Sequence, residues 1–187
     1  MAIATRDRML TAAEGLMREQ GLAGAGIHQI VKRSRAPIGS VYHHFPGGKT
    51  QYASEALQIH GERARALLVA AFRSNKPIEQ RLRTFFRGAA KVFEQQGARK
   101  GCAIGAVTLD LGPRDETLRE VCGNVFASWI DDIALLLPWR SARKRASFAL
   151  AIVTALEGAF ILGRAQRSGE PFIAAGEWLA AASKSRR

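Results

Sequence analysis

Apolar residues recur three and four positions apart along most of the chain, and no stretch sustains the alternation of a half-buried strand. The pattern predicts an all-α protein of about nine helices. The first runs from about Thr5 to Gln20, with Met9, Ala13, Leu16 and Met17 on one face and Gly21 as its stop. A short second helix covers Ile27 to Ser34 and buries Ile27, Ile30 and Val31. Pro37 sits where a helix can begin, since its missing N–H is not needed there. Ile38 to His44 form the third helix, closed by Pro46-Gly47-Gly48. Further helices are expected over about Lys49–Arg73, Pro77–Gln96, Cys102–Leu111, Arg114–Leu137, Arg140–Ala165 and Pro171–Ala182, with the tail SKSRR frayed.

Composition narrows the possible functions. A formal charge of +12 favours an anionic partner such as nucleic acid or an anionic membrane surface. The excess is spread out: residues 1–49 carry seven Lys/Arg against three Asp/Glu (+4), and the rest carry 21 against 13 (+8). Charge alone therefore locates no site. Cys102 and Cys122 lack metal-ligand spacing and read as small buried hydrophobes. The start, MAIATRDRML, has no signal-peptide core, and the apolar run Phe148–Leu162 is shorter than a bilayer span and holds Thr154 and Glu157. A cytoplasmic protein without membrane association is expected. His43 and His44 point about 100° apart on a helix, a poor arrangement for chelating one metal. No phosphate loop, nucleophile motif or paired carboxylates stand out, so neither catalysis nor a cofactor or metal is expected. Asp131-Asp132, Arg143-Lys144-Arg145, Arg164 and Arg167 read as solvated charge.

Function concentrates in PIGSVYHHFPGGK, residues 37–49. A helix of seven residues cannot stand alone, because nucleation costs more than its few hydrogen bonds return. Three helices within 45 residues, the last two joined by RSRAP, have the spacing of a helix-turn-helix. In that motif the last helix enters the DNA major groove while its partner braces it. Val41 and Phe45, four apart, can pack inward. Gly39, Ser40, Tyr42 and His43 then face outward, toward phosphates or base edges. Lys49 can reach phosphate as a point charge. The plain alternative is an ordinary short packing helix with exposed aromatics.

The run IHQIVKRSRAPIGSVYHHFPGGKTQYASEAL, and most specifically GSVYHHF with Lys49 and Ile30, resembles the DNA-binding signature of the TetR family of transcriptional regulators over about Arg6–Leu57. GCAIGAVTLDLG is similar to a branch that includes drug-responsive repressors. The family usually has Gly where this chain has Arg35, and Ser where it has Pro37. Arg35 must then accept a turn conformation that Gly adopts more readily. The resemblance implies a helix-turn-helix domain over residues 1–49 and a ligand-binding and dimerisation domain over 50–187. It implies a homodimeric, ligand-responsive repressor on a palindromic double-stranded DNA operator. The DNA-contacting residues would be Lys32, Arg35, Pro37, Gly39, Ser40, Tyr42, His43 and Lys49.

The segment FALAIVTALEGAFIL, residues 148–162, is apolar on nearly every side and must be covered on every side. Phe148, Ile152, Leu156 and Phe160 can face the core. Ala151, Ala155, Gly158 and Leu162, with Phe172 and Trp178 from the last helix, suggest a two-fold interface; the alternative is one buried helix in a monomer core. Phe86, Phe93, Val107, Leu111, Phe126, Trp129, Phe148 and Ile152 could surround a cavity for an apolar or aromatic small molecule, or could simply be core. Two rival functions stay open: a non-specific, architectural nucleic-acid binder, and a helical small-molecule-binding protein or enzyme with a vestigial DNA-binding motif.

Overall fold

Gly21 breaks the first helix from within: its φ of 70° and ψ of −166° lie outside the helical region, and one more turn follows it. Residues 4–184 are described in the computed structural model, and among them there are nine helices and no strand. The helices are α1 (Thr5–Gly24), α2 (Ile27–Ser34), α3 (Ile38–His44), α4 (Gly48–Phe72), α5 (Ile78–Gln95), α6 (Ala103–Asp110), α7 (Glu116–Leu136), α8 (Ala142–Gln166) and α9 (Glu170–Lys184). Pro37 and Pro77 stand immediately before α3 and α5, in extended backbone that a proline ring favours. Ser141 caps α8, its hydroxyl accepting from the Lys144 amide at 3.2 Å. Ser183 and Lys184 of the expected frayed tail belong to α9, where the Ser183 hydroxyl donates to the Ala180 carbonyl at 2.8 Å. Residues 185–187 and the first three of MAIATRDRML lie outside the described residues.

Two compact units make up the chain. One comprises the residues up to Glu62 together with Cys102–Val125; the other comprises Arg63–Gly101 and Phe126 onward. Helix α6 packs on α1 and so joins the compact unit of the helices that precede it.

The core of the first unit is built from the face expected for α1, with Met9, Ala13, Leu16 and Met17 all buried. Ile30 of α2, Val41 and Phe45 around α3, and Tyr52 and Leu57 of α4 are buried as well. Ile27 and Val31 are only half-buried.

In the second unit α9 packs on α5 and α8. Phe93, Phe160 and Phe172 form a triangle with ring centroids 5.0 to 6.1 Å apart. Gly176 allows α9 to approach Phe86 of α5: a Cβ there would lie 2.6 Å from the Phe86 Cβ. Arg81 closes two helix ends, donating to the Phe72 carbonyl at 2.9 Å and the Leu136 carbonyl at 3.2 Å. Asp132 accepts from Arg65 at 2.7 Å, so it is paired and not the freely solvated charge expected of it.

Candidate nucleic-acid interface

Helix α3 is seven residues long and is held from behind. Val41 and Phe45 are each 1% exposed. The Phe45 ring meets Tyr52 edge-on at 6.0 Å, and the Arg6 guanidinium lies 5.3 Å from its centroid. Arg6 is itself anchored on Glu55. The Tyr52 hydroxyl donates to the Ala25 carbonyl at 2.6 Å, tying α4 to the α1–α2 turn, and burial pushes its pKa up to about 12. Burial of these side chains, and not helix propensity, keeps α3 formed.

Helix α2 is braced separately. Arg33 forms a two-pronged contact with Glu19 of α1, both N–O distances being 2.8 Å, and the Glu19 hydrogen bond holds the guanidinium pKa above its usual value. Arg33 is thus engaged within the protein, whereas neighbouring Lys32 is exposed.

The opposite face of α3 is open. Tyr42 is 62% exposed, and Gly39, three positions before it, and His43, four positions after Gly39, are exposed beside it. Ser40 is half-buried. Among the described residues, and apart from the adjoining backbone of α3 itself, nothing lies within 4 Å of where a Gly39 Cβ would stand, so another molecule's backbone can come close there. Pro37 is exposed and offers no side-chain cap to α3. Arg35 ends α2 in the left-handed region at φ 53°, ψ 38°, the conformation expected of a residue replacing glycine in this turn. Its side chain is exposed. Lys49 is exposed in the first turn of α4, after a Pro46-Gly47-Gly48 turn in which Gly48 has φ 63°. A small, flat, hydrogen-bonding helix face flanked by Lys32, Arg35 and Lys49 has the make-up of a major-groove reader bordered by phosphate contacts.

Two family models match this chain. Residues 9–52 match the bacterial regulatory proteins of the tetR family, and residues 77–178 match the C-terminal domain of LmrA/YxaF-like transcriptional regulators. The chain belongs to the TetR family. It is a DNA-binding transcriptional regulator of the helix-turn-helix type. An uncharacterized HTH-type transcriptional regulator of Mycobacterium tuberculosis is 32% identical over 184 residues, covering 89% of this chain and 87% of that protein. The HTH-type transcriptional regulator LmrA of Bacillus subtilis is 29% identical over 171 residues, covering 90% and 91%. A crystal structure of the regulatory protein TetR from Rhodobacter sphaeroides shares the fold, with a TM-score of 0.84 at 22% identity over 95% of this chain and 97% of that one.

The residues expected around a ligand in this TetR-family chain fall into several places. Phe86 is buried against Phe85 and Gly176, and Phe93 belongs to the triangle with Phe160 and Phe172. Phe126 meets Trp129 edge-on at 5.5 Å, while Phe148 meets Trp139 at 4.8 Å. Ile152 is fully buried. Val107, buried, and Leu111, half-buried, belong to the first unit, whereas the other six lie in the second.

Of the expected interface residues, Trp178 is 69% exposed, Leu162 is 53% exposed, and Ala151, Ala155 and Gly158 are half-buried. Phe172 corrects the expectation. It is completely buried within its own chain by Phe93 and Phe160, so it presents nothing to a partner. Leu150 and Ile161, both exposed on α8, extend that face beyond the residues expected; Leu150 stands four positions from Thr154 and Ile161 three from Gly158, a spacing that puts each beside that face. Helix α8, Ala142–Gln166, lies close to the expected Arg140–Ala165. At 25 residues it is long and apolar enough by length and composition to cross a membrane, yet only 33% of its apolar window is buried within the protein.

Proposed function

We propose that this chain is a ligand-responsive repressor that binds a palindromic operator as a homodimer, placing α3 of each copy in successive major grooves. The observation that carries the reading is the two-sided character of α3, with Val41 and Phe45 locked inside and Gly39, Tyr42 and His43 presented outside. Ser40, Tyr42 and His43 read base edges, Gly39 and Pro37 permit close approach, and Lys32, Arg35 and Lys49 hold phosphates. Repression requires only that the operator be occupied.

The half-covered apolar helix α8 supports dimerisation. Leu150, Gly158, Ile161 and Leu162, with Trp178 of α9, form an apolar face whose small residues let a second copy come close. Among the aromatic side chains of the second unit, Phe126, Trp129 and Phe148 suit an apolar or aromatic effector. Such an effector relieves repression only by binding a state with low operator affinity better than the DNA-bound state.

Sedimentation of the protein with a duplex carrying an inverted repeat tests the reading. Two chains, or a multiple of two, are expected per duplex. A single chain per duplex would contradict it.

A further inference from the structure

The net charge of +12 divides unevenly between the two compact units. The first, which contains α3, carries nine Lys/Arg against nine Asp/Glu and is neutral; the second carries 19 against seven and holds the whole excess. Reading along the sequence hides this, because residues 50–62 and 102–125 bring six acids against two cations into the first unit. An excess of that size repels itself and destabilises the compact unit that carries it.

Part of the excess is gathered at one place within the second unit. The turn after α4 reads RSNKP, residues 73–77, and the segment that leaves α7 and enters α8 reads LPWRSARKR, residues 137–145. Together they hold six Lys/Arg and no Asp or Glu. Arg81 brings the two side by side. Its Nη1 donates to the carbonyls of Phe72 and Leu136, the last residues of α4 and α7, and its Nε donates to the Lys76 carbonyl at 2.6 Å. Arg145 fixes the second segment, its Nη1 donating to the Trp139 carbonyl at 2.7 Å and the Arg140 carbonyl at 3.0 Å. The Trp139 ring meets Phe148 edge-on, and Lys144 Nζ lies 4.5 Å from its centroid. Arg81 and Arg145 thus engage backbone carbonyls, whereas Arg73, Lys76, Arg140 and Arg143 are exposed.

We propose that this basic patch is a second DNA site, which holds the phosphate backbone of duplex DNA without reading its sequence. Arg73, Lys76, Arg140 and Arg143 supply the phosphate contacts. Cations crowded together without carboxylates are unfavourable in the free protein, and a polyanion offsets that repulsion. Four exposed cations on two adjoining turns suit a polyanion, since each phosphate neutralised releases condensed counterions. A membrane surface fits less well. The exposed side chains of the two segments are charged, polar, proline or alanine, so the patch lacks the large apolar face that enters a bilayer interface. The site shares no residue with the reading face of α3. It rests on the operator-reading function proposed above only in that such a protein works among duplex DNA; seated on its operator, it holds a second stretch of duplex as well.

The experiment follows the anisotropy of a labelled random-sequence duplex titrated with full-length protein at several salt concentrations. It is run alone and with one equivalent per dimer of an unlabelled inverted-repeat duplex, selected from a random pool, to occupy the reading heads. Wild type is expected to bind the labelled duplex in both cases. With the heads occupied, Arg140→Gln/Arg143→Gln binds it more weakly, and the salt slope shallows by about two, one for each lost phosphate contact. Affinity for the inverted repeat is retained. Arg73→Gln/Lys76→Gln, on the other turn, is expected to do the same and repeats the test should the first variant be unstable. A wild type that binds no labelled duplex once its heads are occupied overturns the proposal, as do variants with unchanged affinity and slope. So does an equal loss on both duplexes, the mark of a merely structural change. Binding to anionic phospholipid vesicles that the random duplex does not displace, lost in the same variants, would assign the patch to a membrane and overturn it too. A wild type that binds the inverted repeat no more tightly than the random duplex would instead defeat the operator-reading function, while the variants' affinity for the random duplex still decides the patch.

Discussion

The Tyr52 hydroxyl sits 2.6 Å from the Ala25 carbonyl, buried beneath the helix-turn-helix, and this one contact joins α4 to the turn between α1 and α2. Removing it in Tyr52→Phe strands a buried carbonyl and is expected to cost about 1–2 kcal/mol of unfolding free energy. The variant also has a distinct pH signature. Burial raises the phenol to about 12 in the folded protein, from 10.0 unperturbed. Between those values the unfolded chain loses the proton while the folded chain keeps it, so stability falls as pH rises. Wild type therefore loses stability between about pH 10 and 12. Denaturant unfolding across that range checks this: Tyr52→Phe should start lower and decline less steeply.

How much of this was legible beforehand differs from residue to residue. The bounds of α2 and α3 could be read because Gly26, Pro37 and the Pro46-Gly47-Gly48 turn punctuate them. The inward and outward faces of α3 followed from helical period alone. Phe172 was misplaced because period shows that a position is apolar but not which neighbour covers it; Phe93 and Phe160 do so from α5 and α8. The contact between Asp110 and Ala23 has no sequence signal, since no local pattern reveals a partner 87 residues away. The packing of α6 on α1, which places α6 in the first compact unit, is long-range in the same way and has no local signal.

Arg35 occupies a left-handed position at φ 53° that costs an arginine about 1–2 kcal/mol relative to glycine. Arg35→Gly should therefore melt at the same temperature or higher, the relief of strain being partly offset by glycine's greater backbone freedom. Its affinity for DNA should nevertheless fall, and the salt dependence of binding should shallow by about one unit of slope. Thermal melts and salt titrations of binding read the two effects separately. Unchanged affinity and slope would remove Arg35 from the contact list.

Lys49 and Tyr42 should separate positioning from reading. Lys49→Ala is expected to weaken all duplexes alike and to lower the salt slope by about one. Tyr42→Ala should weaken the preferred sequence more than a scrambled one, by about 1–3 kcal/mol if it meets a base edge. Anisotropy titrations with both duplexes at several salt concentrations distinguish them.

Two glycines of the second unit should respond in opposite ways. Among the described residues, and apart from the adjoining backbone of α8 itself, nothing lies within 4 Å of a Cβ built at Gly158, whereas one at Gly176 would stand 2.6 Å from Phe86. Gly158→Leu should leave the protomer folded but dissociate the dimer. Gly176→Ala should lower the melting temperature, with overpacking costing about 1–3 kcal/mol. A Gly158→Leu protein that sediments as a native dimer would place the interface elsewhere.

Selection of bound sequences from a random DNA pool, at one physiological salt concentration, tests the central claim most directly, because it asks whether α3 reads sequence and whether two copies read together. An enriched inverted repeat is the result predicted here. DNA binding without enrichment of any sequence would contradict it, and would identify the basic charge alone as the source of affinity.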